Sequence, residues 1–329
     1  MARNAAAAGG ACAVAGALAA FANRSLCFRH APVGLGDADG LTEALGAVGP
    51  LGVVLCASYQ SPWEGLHSPS AWTAMLGRAG FGLSLPLQAV PAIGVAEAIA
   101  RACPRAWFVN ACFPDAVNSV LAHLGMPVIC GAGNVAVLSA ALQHGLHLAD
   151  GSRLKVVAHH VHLHAPDNEA GEARAWLDDV PLAGITTALA ELRSAPRAEL
   201  VSIAGASAAV LACALLTGDR LDANVPGPLG LPGGYPVRID GGTLSLRLPA
   251  GLTASDAIAS NQRAALRDGV VVDGGVVTFC PAARDELRKA LPCLADGFAV
   301  TDIAAACEEL LELRVRLRVA ADLEVDRGR

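Results

Sequence analysis

Blocks of apolar residues alternate with polar and glycine-rich segments along the first 125 positions, and they predict strands and helices in turn. Residues 51–57 and 106–112 are apolar runs between turn residues, as is typical of strands buried on both faces of a parallel sheet. A shorter strand is predicted at residues 25–30. Helical patterns occupy residues 5–21, 41–48, 93–103 and 114–125. Strands that alternate with helices in this way predict a doubly wound parallel sheet.

The pattern changes in the second half of the chain. The turn sequence Asp240-Gly241-Gly242 predicts a hairpin over residues 236–248. The other predicted elements are a strand at 154–163, a helix of small residues at 196–216, a Pro/Gly-rich loop at 226–235, a strand at 269–279 and a helix at 301–318. A chain of 329 residues can form two medium domains, and the change of pattern places them at residues 1–125 and 126–329.

Composition narrows the class of protein. Hydrophobic residues make up 53% of the chain and charged residues only 16%, which excludes ordinary disorder. The net charge is −6, without a notable basic patch, so nucleic acid is not an expected partner. No apolar run has the length and hydrophobicity of a typical membrane span, so no membrane association is expected. The Ala-rich residues 5–22 hold too little leucine for a typical signal peptide.

The usage of cysteine and arginine favours a bacterial, cytoplasmic protein. The ten cysteines are scattered through apolar runs without a CxxC pair, which favours buried free thiols in a reducing compartment. Arginine supplies 22 of the 24 cationic residues, a bias that indicates a GC-rich genome rather than nucleic-acid binding.

Four of the nine histidines fall within six residues, in the order His159-His160-Val161-His162-Leu163-His164. On a strand, side chains alternate between faces, so His160, His162 and His164 would share one face and His159 would lie on the other. The four histidines are therefore candidate ligands of a divalent metal. The alternative is a half-buried strand whose histidines only hydrogen-bond their neighbours. His160, with His162 beside it, is the predicted general acid/base.

Several segments, in order, resemble the superfamily that joins lactate/malate dehydrogenases to the NAD-using family 4 glycosidases. Residues 53–62 look like its fourth strand and active-site loop, and residues 90–110 like a helix followed by a strand that ends in asparagine. Phe113-Pro114 stands where those families have Asn-Pro. Gly131-Ala-Gly-Asn134 is similar to the loop that opens the substrate domain. Residues 155–160 resemble the strand of the dehydrogenases' catalytic histidine, or the Cys-His metal-site pair of the glycosidases.

The resemblance covers roughly residues 50–320 and implies an α/β fold. It would be a truncated Rossmann-like parallel sheet followed by an α+β C-terminal domain of the lactate/malate dehydrogenase kind. A truncated sheet edge must be covered, and the family associates through its helices, so a homodimer is expected.

The N-terminus departs from the family's pattern. Those families begin with a strand, a GxGxxG turn and a helix that together bind the pyrophosphate of NAD. The nearest glycines here are Gly9, Gly10 and Gly16, and no strand precedes them. Either the unit lies upstream of Met1 or ordinary NAD binding has been lost. The cofactor therefore stays open between NAD(P), a divalent metal and none.

The dehydrogenases' substrate machinery is also predicted to be missing. In that family an Asp orients the catalytic histidine, and an Arg three residues later binds the substrate carboxylate. Counted from the Gly131-Ala-Gly133 loop, these places fall on Val137 and Ala140. Without the Asp the histidine tautomer lacks support, and without the Arg the bidentate carboxylate contact is lost.

Other polar residues are candidates for binding a small-molecule substrate. Asn110, Asp115 and Asn118 lie at the carboxyl end of a buried strand, where ligands bind in open α/β sheets. Asp115 could instead be only a favourable charge at a helix N-terminus. Arg78 falls near the position of a mobile substrate-contacting arginine in the family, with a solvated surface cation as the alternative. Asn134 could simply favour its turn.

Three functions follow from these observations. The first is a divergent dehydrogenase-like oxidoreductase that acts on a small polar hydroxy or keto metabolite, with His160 as general acid/base. The second is a lyase, cyclase or hydrolase on the same scaffold that needs no nicotinamide cofactor and works with or without a metal ion. The third is a non-catalytic binding protein, in which changes to the histidine cluster would leave function intact.

Overall fold

A computed structural model of the chain describes residues 4–327, with side chains described up to residue 319. The α-helices are α1 (Ala5–Phe21), α2 (Ala38–Val48), α3 (Glu64–His67), α4 (Ala71–Ala79), α5 (Leu85–Ala102), α6 (Pro114–His123), α7 (Asn134–Gly145), α8 (Ile185–Ala188), α9 (Ala190–Ser194), α10 (Leu200–Thr217), α11 (Ala254–Asp268), α12 (Pro281–Ala290) and α13 (Ile303–Arg327). The strands are β1 (Gly52–Leu55), β2 (Trp107–Asn110), β3 (Cys130–Gly131), β4 (Leu154–Val157), β5 (Arg174–Leu177), β6 (Val180–Pro181), β7 (Leu221–Pro226), β8 (Gly234–Asp240), β9 (Thr243–Leu246), β10 (Val270–Asp273), β11 (Val276–Phe279) and β12 (Phe298–Ala299).

A small parallel sheet lies in the first half of the chain, with strand order β1-β2-β3. Leu55 pairs with Asn110, and Asn110 pairs with Gly131, so the carboxyl ends of the three strands meet at one edge. The strands predicted at residues 51–57 and 106–112 are confirmed in shorter form. The protein is mixed α/β, as the alternation of patterns predicts.

The second half of the chain forms three antiparallel sheets of three strands each, in the orders β4-β5-β6, β7-β8-β9 and β10-β11-β12. The predicted hairpin around Asp240-Gly241-Gly242 is confirmed as β8 and β9. The single strand predicted at residues 269–279 is wrong, because Gly274 and Gly275 both have positive φ and turn the chain back on itself.

The strand predicted at residues 25–30 is also wrong, since this segment has no regular structure. The helix predicted at residues 93–103 is α5, which begins eight residues earlier at Leu85, with Pro86 in its first turn. The ten cysteines are unpaired, but only Cys130, Cys280 and Cys307 among them are buried.

The largest apolar cluster joins two distant parts of the sequence. It contains residues of α2, α4, α5 and α6, and also residues of β10, β11, α12 and α13. The C-terminal helix α13 packs on α5 and α4, and α12 packs on α4. The chain therefore returns across the boundary predicted at residue 125, and this return brings the end of α11 next to α4.

Two helical segments are long and apolar enough to cross a membrane by length and composition. In the Phe81–Ala102 segment the apolar window has a mean hydropathy of 1.5 and is 72% buried inside the protein, as in the core helix of a globular fold. In the Arg197–Thr217 segment the window has a mean hydropathy of 2.2 and is only 17% buried. Its buried side chains Leu211, Ala214 and Leu215 face the rest of the protein.

Candidate active site

The histidine segment leaves the sheet before its first histidine. β4 ends at Val157, Ala158 makes one isolated bridge to Gly234, and His160–Leu163 is a 3-10 helix. The prediction of a strand through residue 163 is therefore wrong. The histidines themselves favour the turn, because the ring of His159 accepts a hydrogen bond from the backbone N–H of Val161 at 3.3 Å. The alternation of faces expected of a strand is lost with it.

His160 makes the central contact of the site. Its Nδ1–H donates a hydrogen bond to Oδ2 of Asp268, at 2.9 Å. Both side chains are largely buried, with 18% of His160 and 6% of Asp268 exposed. A carboxylate only accepts, so this bond places the proton of neutral His160 on Nδ1 and leaves the lone pair of Nε2 free. This is the tautomer that a general base requires.

Asp268 is the last residue of α11, immediately before Gly269, which has a φ of 108°. A helix C-terminus carries partial negative charge, so a buried carboxylate there is unfavourable unless it has a strong partner. The imidazole of His160 is that partner. The prediction that the histidine lacks a supporting Asp is therefore wrong: the carboxylate comes from a different element.

The two groups shift each other's ionisation. Burial alone would lower the pKa of His160, but the charge of Asp268 and its hydrogen bond outweigh burial, so the pKa is raised above 6.5. Burial alone would raise the pKa of Asp268, but the charge and hydrogen bond of His160 lower it. The contact therefore favours the protonated form of His160 and the ionised form of Asp268.

The other three histidines are held neutral. Burial lowers the pKa of His159 and, together with the charge of Arg197, that of His164. Burial also lowers the pKa of His162 to about 3. Both ring nitrogens of His162 face N–H donors, since the backbone N–H of His159 donates to Nδ1 at 2.8 Å and the guanidinium of Arg267 lies 3.1 Å from Nε2. His162, predicted as a catalytic partner of His160, is thus occupied by protein contacts.

The metal hypothesis finds no support in this arrangement. Nδ1 of His159, both nitrogens of His162 and Nε2 of His164 all face hydrogen-bond donors of the protein. Among residues 4–327, no group of three His, Cys, Asp or Glu residues is placed to hold an ion.

Two phenylalanines pack beside His160. The ring centroids of Phe81 and Phe113 lie 5.8 and 6.0 Å from that of His160, and 5.3 Å from each other in an edge-on arrangement. Phe113 has a φ of 48°, a rare conformation for a bulky residue, and it immediately precedes Pro114 at the start of α6. The strained turn after β2 thus places an aromatic ring against the imidazole.

Glycines allow the turn after α4 to approach Asp268 closely. Gly80 has a φ of 93°, and a Cβ added there would lie 2.5 Å from the carbonyl oxygen of Asp268. A Cβ on Gly82 would lie 2.7 Å from the same oxygen. Only glycine fits at these distances, and the turn carries Phe81 between the two glycines.

Asp115 joins the site through the backbone of His160. Its Oδ1 accepts a hydrogen bond from the His160 N–H at 2.9 Å, while its Oδ2 is buried and has no partner. Its charge also acts on both His159 and His160. Asp115 thus fixes the start of the histidine helix, a role beyond the favourable helix charge considered from the sequence.

Asn110 and Asn118 are fully buried and connect loops at the same edge of the parallel sheet. Asn110 Nδ2 donates to Asn118 Oδ1 at 2.9 Å, and Asn118 Nδ2 donates to the carbonyl of Gly227 at 2.9 Å. Their amide groups are occupied by the protein, so they position the edge that carries Asp115.

The side chains of Arg78 and Asn134, both in the described part of the chain, do not hydrogen-bond His160. The guanidinium of Arg78 forms an ion pair with Glu286 of α12 at 2.6 Å, with 59% of its side chain exposed. Asn134 is the half-buried first residue of α7, after Gly133 with a φ of 121°. These positions agree with the alternatives given from the sequence: Arg78 is a surface cation, and Asn134 is a residue that favours its turn.

The glycines at the N-terminus do not fit the phosphates of a dinucleotide. Gly9, Gly10 and Gly16 lie inside α1, and no strand precedes that helix in the described residues. A pyrophosphate turn requires glycines between a strand and a helix, so that backbone N–H groups can approach the phosphates. No step of the chemistry is therefore assigned to NAD(P).

Comparison with family models and with curated proteins finds no match for this chain. The function must therefore be argued from the geometry of the site itself.

Two cavities lie away from the cluster at residues 159–164. One, of 530 Å³, is lined mainly by α7 and α8, and the other, of 440 Å³, by α7, α10 and β7. Neither is lined by His160, whose imidazole instead reaches solvent directly through its exposed edge.

Sequence reasoning missed Asp268, Phe81 and Arg197. The acidic residue directly before Gly269 could have signalled Asp268, since it ends the helix α11 where negative charge is unfavourable. Nothing local marks Phe81 or Arg197, whose proximity to His160 arises from packing alone.

Proposed function

We propose that the chain is an enzyme that uses His160 as a general acid/base on a small polar hydroxy or keto metabolite. The observation that carries the proposal is the 2.9 Å hydrogen bond from His160 Nδ1 to buried Asp268. A paired, mostly buried carboxylate and imidazole with one free ring nitrogen is the arrangement that general acid/base catalysis needs.

The residues supply both halves of a proton transfer. Nε2 of His160 removes a proton from a hydroxyl group, or from carbon next to a carbonyl, and the substrate keeps the electron pair. Asp268 stabilises the imidazolium that forms, without taking the proton itself. Nε2 then returns the proton to a different atom of the substrate or to the leaving oxygen, which restores neutral His160.

Phe81 and Phe113 support this role by their position. Their rings pack beside the imidazole, and apolar neighbours lower the local dielectric constant, which strengthens the interaction between His160 and Asp268. Asp115 fixes the backbone of His160, so the imidazole is oriented from two independent points.

The helical setting of Gly9, Gly10 and Gly16 favours chemistry without a nicotinamide. We therefore favour the cofactor-independent alternative, a lyase, cyclase or hydrolase, on a scaffold derived from the dehydrogenases. The parallel β1-β2-β3 sheet with the site at its carboxyl edge supports a truncated Rossmann-like origin. The homodimer stays a prediction.

The test is the incorporation of deuterium from D₂O into a panel of small hydroxy and keto compounds, followed by ¹H NMR. It is run with and without NAD(P)H, on the wild type, His160→Asn and the control His144→Asn, which changes an exposed histidine of α7. We expect exchange without nucleotide in the wild type and the control, and a loss of about 10²- to 10⁴-fold in His160→Asn.

Two outcomes would overturn the proposal. Exchange that is equal in His160→Asn and the wild type, or absent from every compound, removes the catalytic role of His160. Turnover that requires NAD(P)H keeps His160 as the acid/base but replaces the cofactor-independent reaction with an oxidoreductase.

A further inference from the structure

Three arginines surround the histidine helix, and they differ in their partners. Arg193 forms a bidentate ion pair with Glu172, both bonds 2.8 Å long, and also donates to the carbonyl of His162. Arg267 donates to the carbonyl of Gly171 at 2.6 Å and lies against the ring of His162. Within the described part of the chain, the guanidinium of Arg197 hydrogen-bonds Nε2 of His164 and no other side chain. Among the described residues, no carboxylate lies within ion-pair distance of Arg197 or Arg267.

Arg197 is the arginine whose charge reaches the catalytic pair. It lies at the start of the short 3-10 helix Arg197–Glu199, is half-buried, and contacts the residue that ends the histidine helix. Its positive charge acts to lower the pKa of His160, and the negative charge of Asp268 acts in turn on Arg197. Burial nevertheless outweighs the charge of Asp268, so the pKa of the Arg197 guanidinium is lowered and its positive charge is not fully compensated by its surroundings.

A half-buried guanidinium without an acidic partner has unused binding capacity. It offers five N–H donors in a planar fork, and the protein uses the ring nitrogen of His164 as acceptor for one side. The fork matches the paired oxygens of a carboxylate or phosphate, which bind arginine by two parallel, charge-assisted hydrogen bonds. Arg193, beside the same helix, forms this kind of paired contact with the carboxylate of Glu172.

We propose that Arg197 binds an oxyanion of the substrate next to His160, so that the site selects small carboxylates or phosphates over neutral compounds. This inference rests on the proposed function, since it names the substrate class of the same site. The oxyanion would bind to Arg197, while the hydroxyl or carbonyl group to be deprotonated or polarised lies toward Nε2 of His160.

The proposal has a readout that requires no known reaction. An anion bound to Arg197 neutralises the charge that opposes protonation of His160, so anion binding raises the pKa of His160. The other charged or titratable groups that act on or adjoin this imidazole are Asp268, Asp115, His159, His164 and Arg267. These stay in place in the experiment.

The experiment follows the His160 ring by ¹H–¹⁵N NMR of the full chain at constant ionic strength in chloride. Acetate, inorganic phosphate and neutral acetamide are titrated into the wild type, Arg197→Ala, Arg197→Lys and the control Arg263→Ala, which changes an exposed arginine of α11. We expect saturable shifts and a raised His160 pKa with at least one anion, and none with acetamide. Arg197→Ala should weaken anion binding about ten-fold or more, and Arg197→Lys should weaken it less.

The outcomes distinguish a carboxylate from a phosphate ester as the source of the oxyanion. They also distinguish a failure of this inference from a failure of the proposed function. Response to acetate alone assigns a carboxylate, and response to phosphate alone assigns a phosphate ester. No response of His160 to either anion, or equal affinity in Arg197→Ala, overturns the inference. Arg197→Lys serves as the deciding variant if Arg197→Ala does not fold. The ¹⁵N spectrum recorded without anion shows whether His160 carries its proton on Nδ1, which tests the contact with Asp268 separately. Anion binding by Arg197 can therefore fail while the catalytic pair is confirmed, and the reverse.

Discussion

Replacement of Asp268 by asparagine tests the catalytic pair most directly. Asparagine has nearly the same shape and can still accept a hydrogen bond from Nδ1 of His160, but it carries no charge. The substitution therefore removes the electrostatic part of the contact and leaves the charge of Asp115 to oppose the burial of His160. We expect the pKa of His160 to fall below its ordinary value of 6.5 in Asp268→Asn.

The size of the effect on stability follows from the geometry. With Nδ1 and Oδ2 at 2.9 Å, the charges are centred near 4 Å apart, and an effective dielectric constant of about 20 gives an attraction of about 4 kcal/mol. Burial of both groups offsets part of this, so we expect Asp268→Asn to lower the free energy of unfolding by about 2–4 kcal/mol at pH 6. At pH 9 a smaller fraction of His160 is protonated, so the loss is smaller and approaches about 1 kcal/mol of hydrogen-bond stabilisation when the ring is neutral.

The direction with pH follows from the two shifts. A histidine with a raised folded pKa contributes stability that is fully present below its unfolded pKa of 6.5 and is lost as the pH rises through the folded value. The lowered pKa of Asp268 contributes stability above 3.8 that is lost as the pH falls through the folded value. The pair is therefore most stabilising between pH 3.8 and pH 6.5, the ordinary pKa values of the two groups, and stabilises the fold less on either side.

The assay combines urea unfolding at pH 6 and pH 9 with ¹⁵N NMR titration of His160. The control is Asp240→Asn, which changes an exposed carboxylate in the β8–β9 turn. The reasoning is refuted if the His160 pKa is unchanged or higher in Asp268→Asn, or if the stability difference from the wild type is the same at both pH values. In the proton-transfer assay, we expect Asp268→Asn to lower the rate by up to about 10⁴-fold. The equivalent Asp-to-Asn change in a serine protease, which leaves the catalytic histidine in the wrong tautomer, has an effect of this size.

Two further substitutions test the surroundings of the pair. Gly80→Ala forces a Cβ to within 2.5 Å of the Asp268 carbonyl in a positive-φ conformation, so urea unfolding should show a loss of about 1–3 kcal/mol and the His160 resonances should move. Gly77→Ala in α4 has no atom within 4 Å of the new Cβ and should be neutral or stabilising by about 0.5–1 kcal/mol; equal losses in both would contradict the close-approach argument. The pKa of His162 is about 3 in the folded protein, so between pH 6.5 and 3 this histidine is protonated in the unfolded chain but not in the folded one. The free energy of unfolding should therefore fall by about 1.4 kcal/mol for each pH unit of acidification in this range. His162→Gln should lose this slope in urea unfolding from pH 6.5 to 4, and an unchanged slope would show that His162 is not the group responsible.

The sequence by itself determined those elements whose signal is local. The strands β1 and β2 and the helix α6 follow from short apolar runs between turn residues and from Pro114 at a helix start, because burial on both faces leaves a pattern that does not depend on the partner. His160 stood out for a similar reason, since a cluster of histidines is unusual wherever it lies. The helix α1 was likewise predicted with its observed bounds.

The tertiary structure alone decided how the histidine segment ends its strand and what supports His160. β4 stops at Val157 because the rings of His159 and His162 accept backbone hydrogen bonds that turn the chain, a competition that alternation of residue types does not reveal. Asp268 lies 108 positions away in sequence and reaches His160 because α11, which ends at Asp268, packs on the histidine helix. Arg197 and Phe81 come from two further segments. Contacts between distant segments depend on how whole helices and sheets pack, and no local pattern of residues encodes that packing.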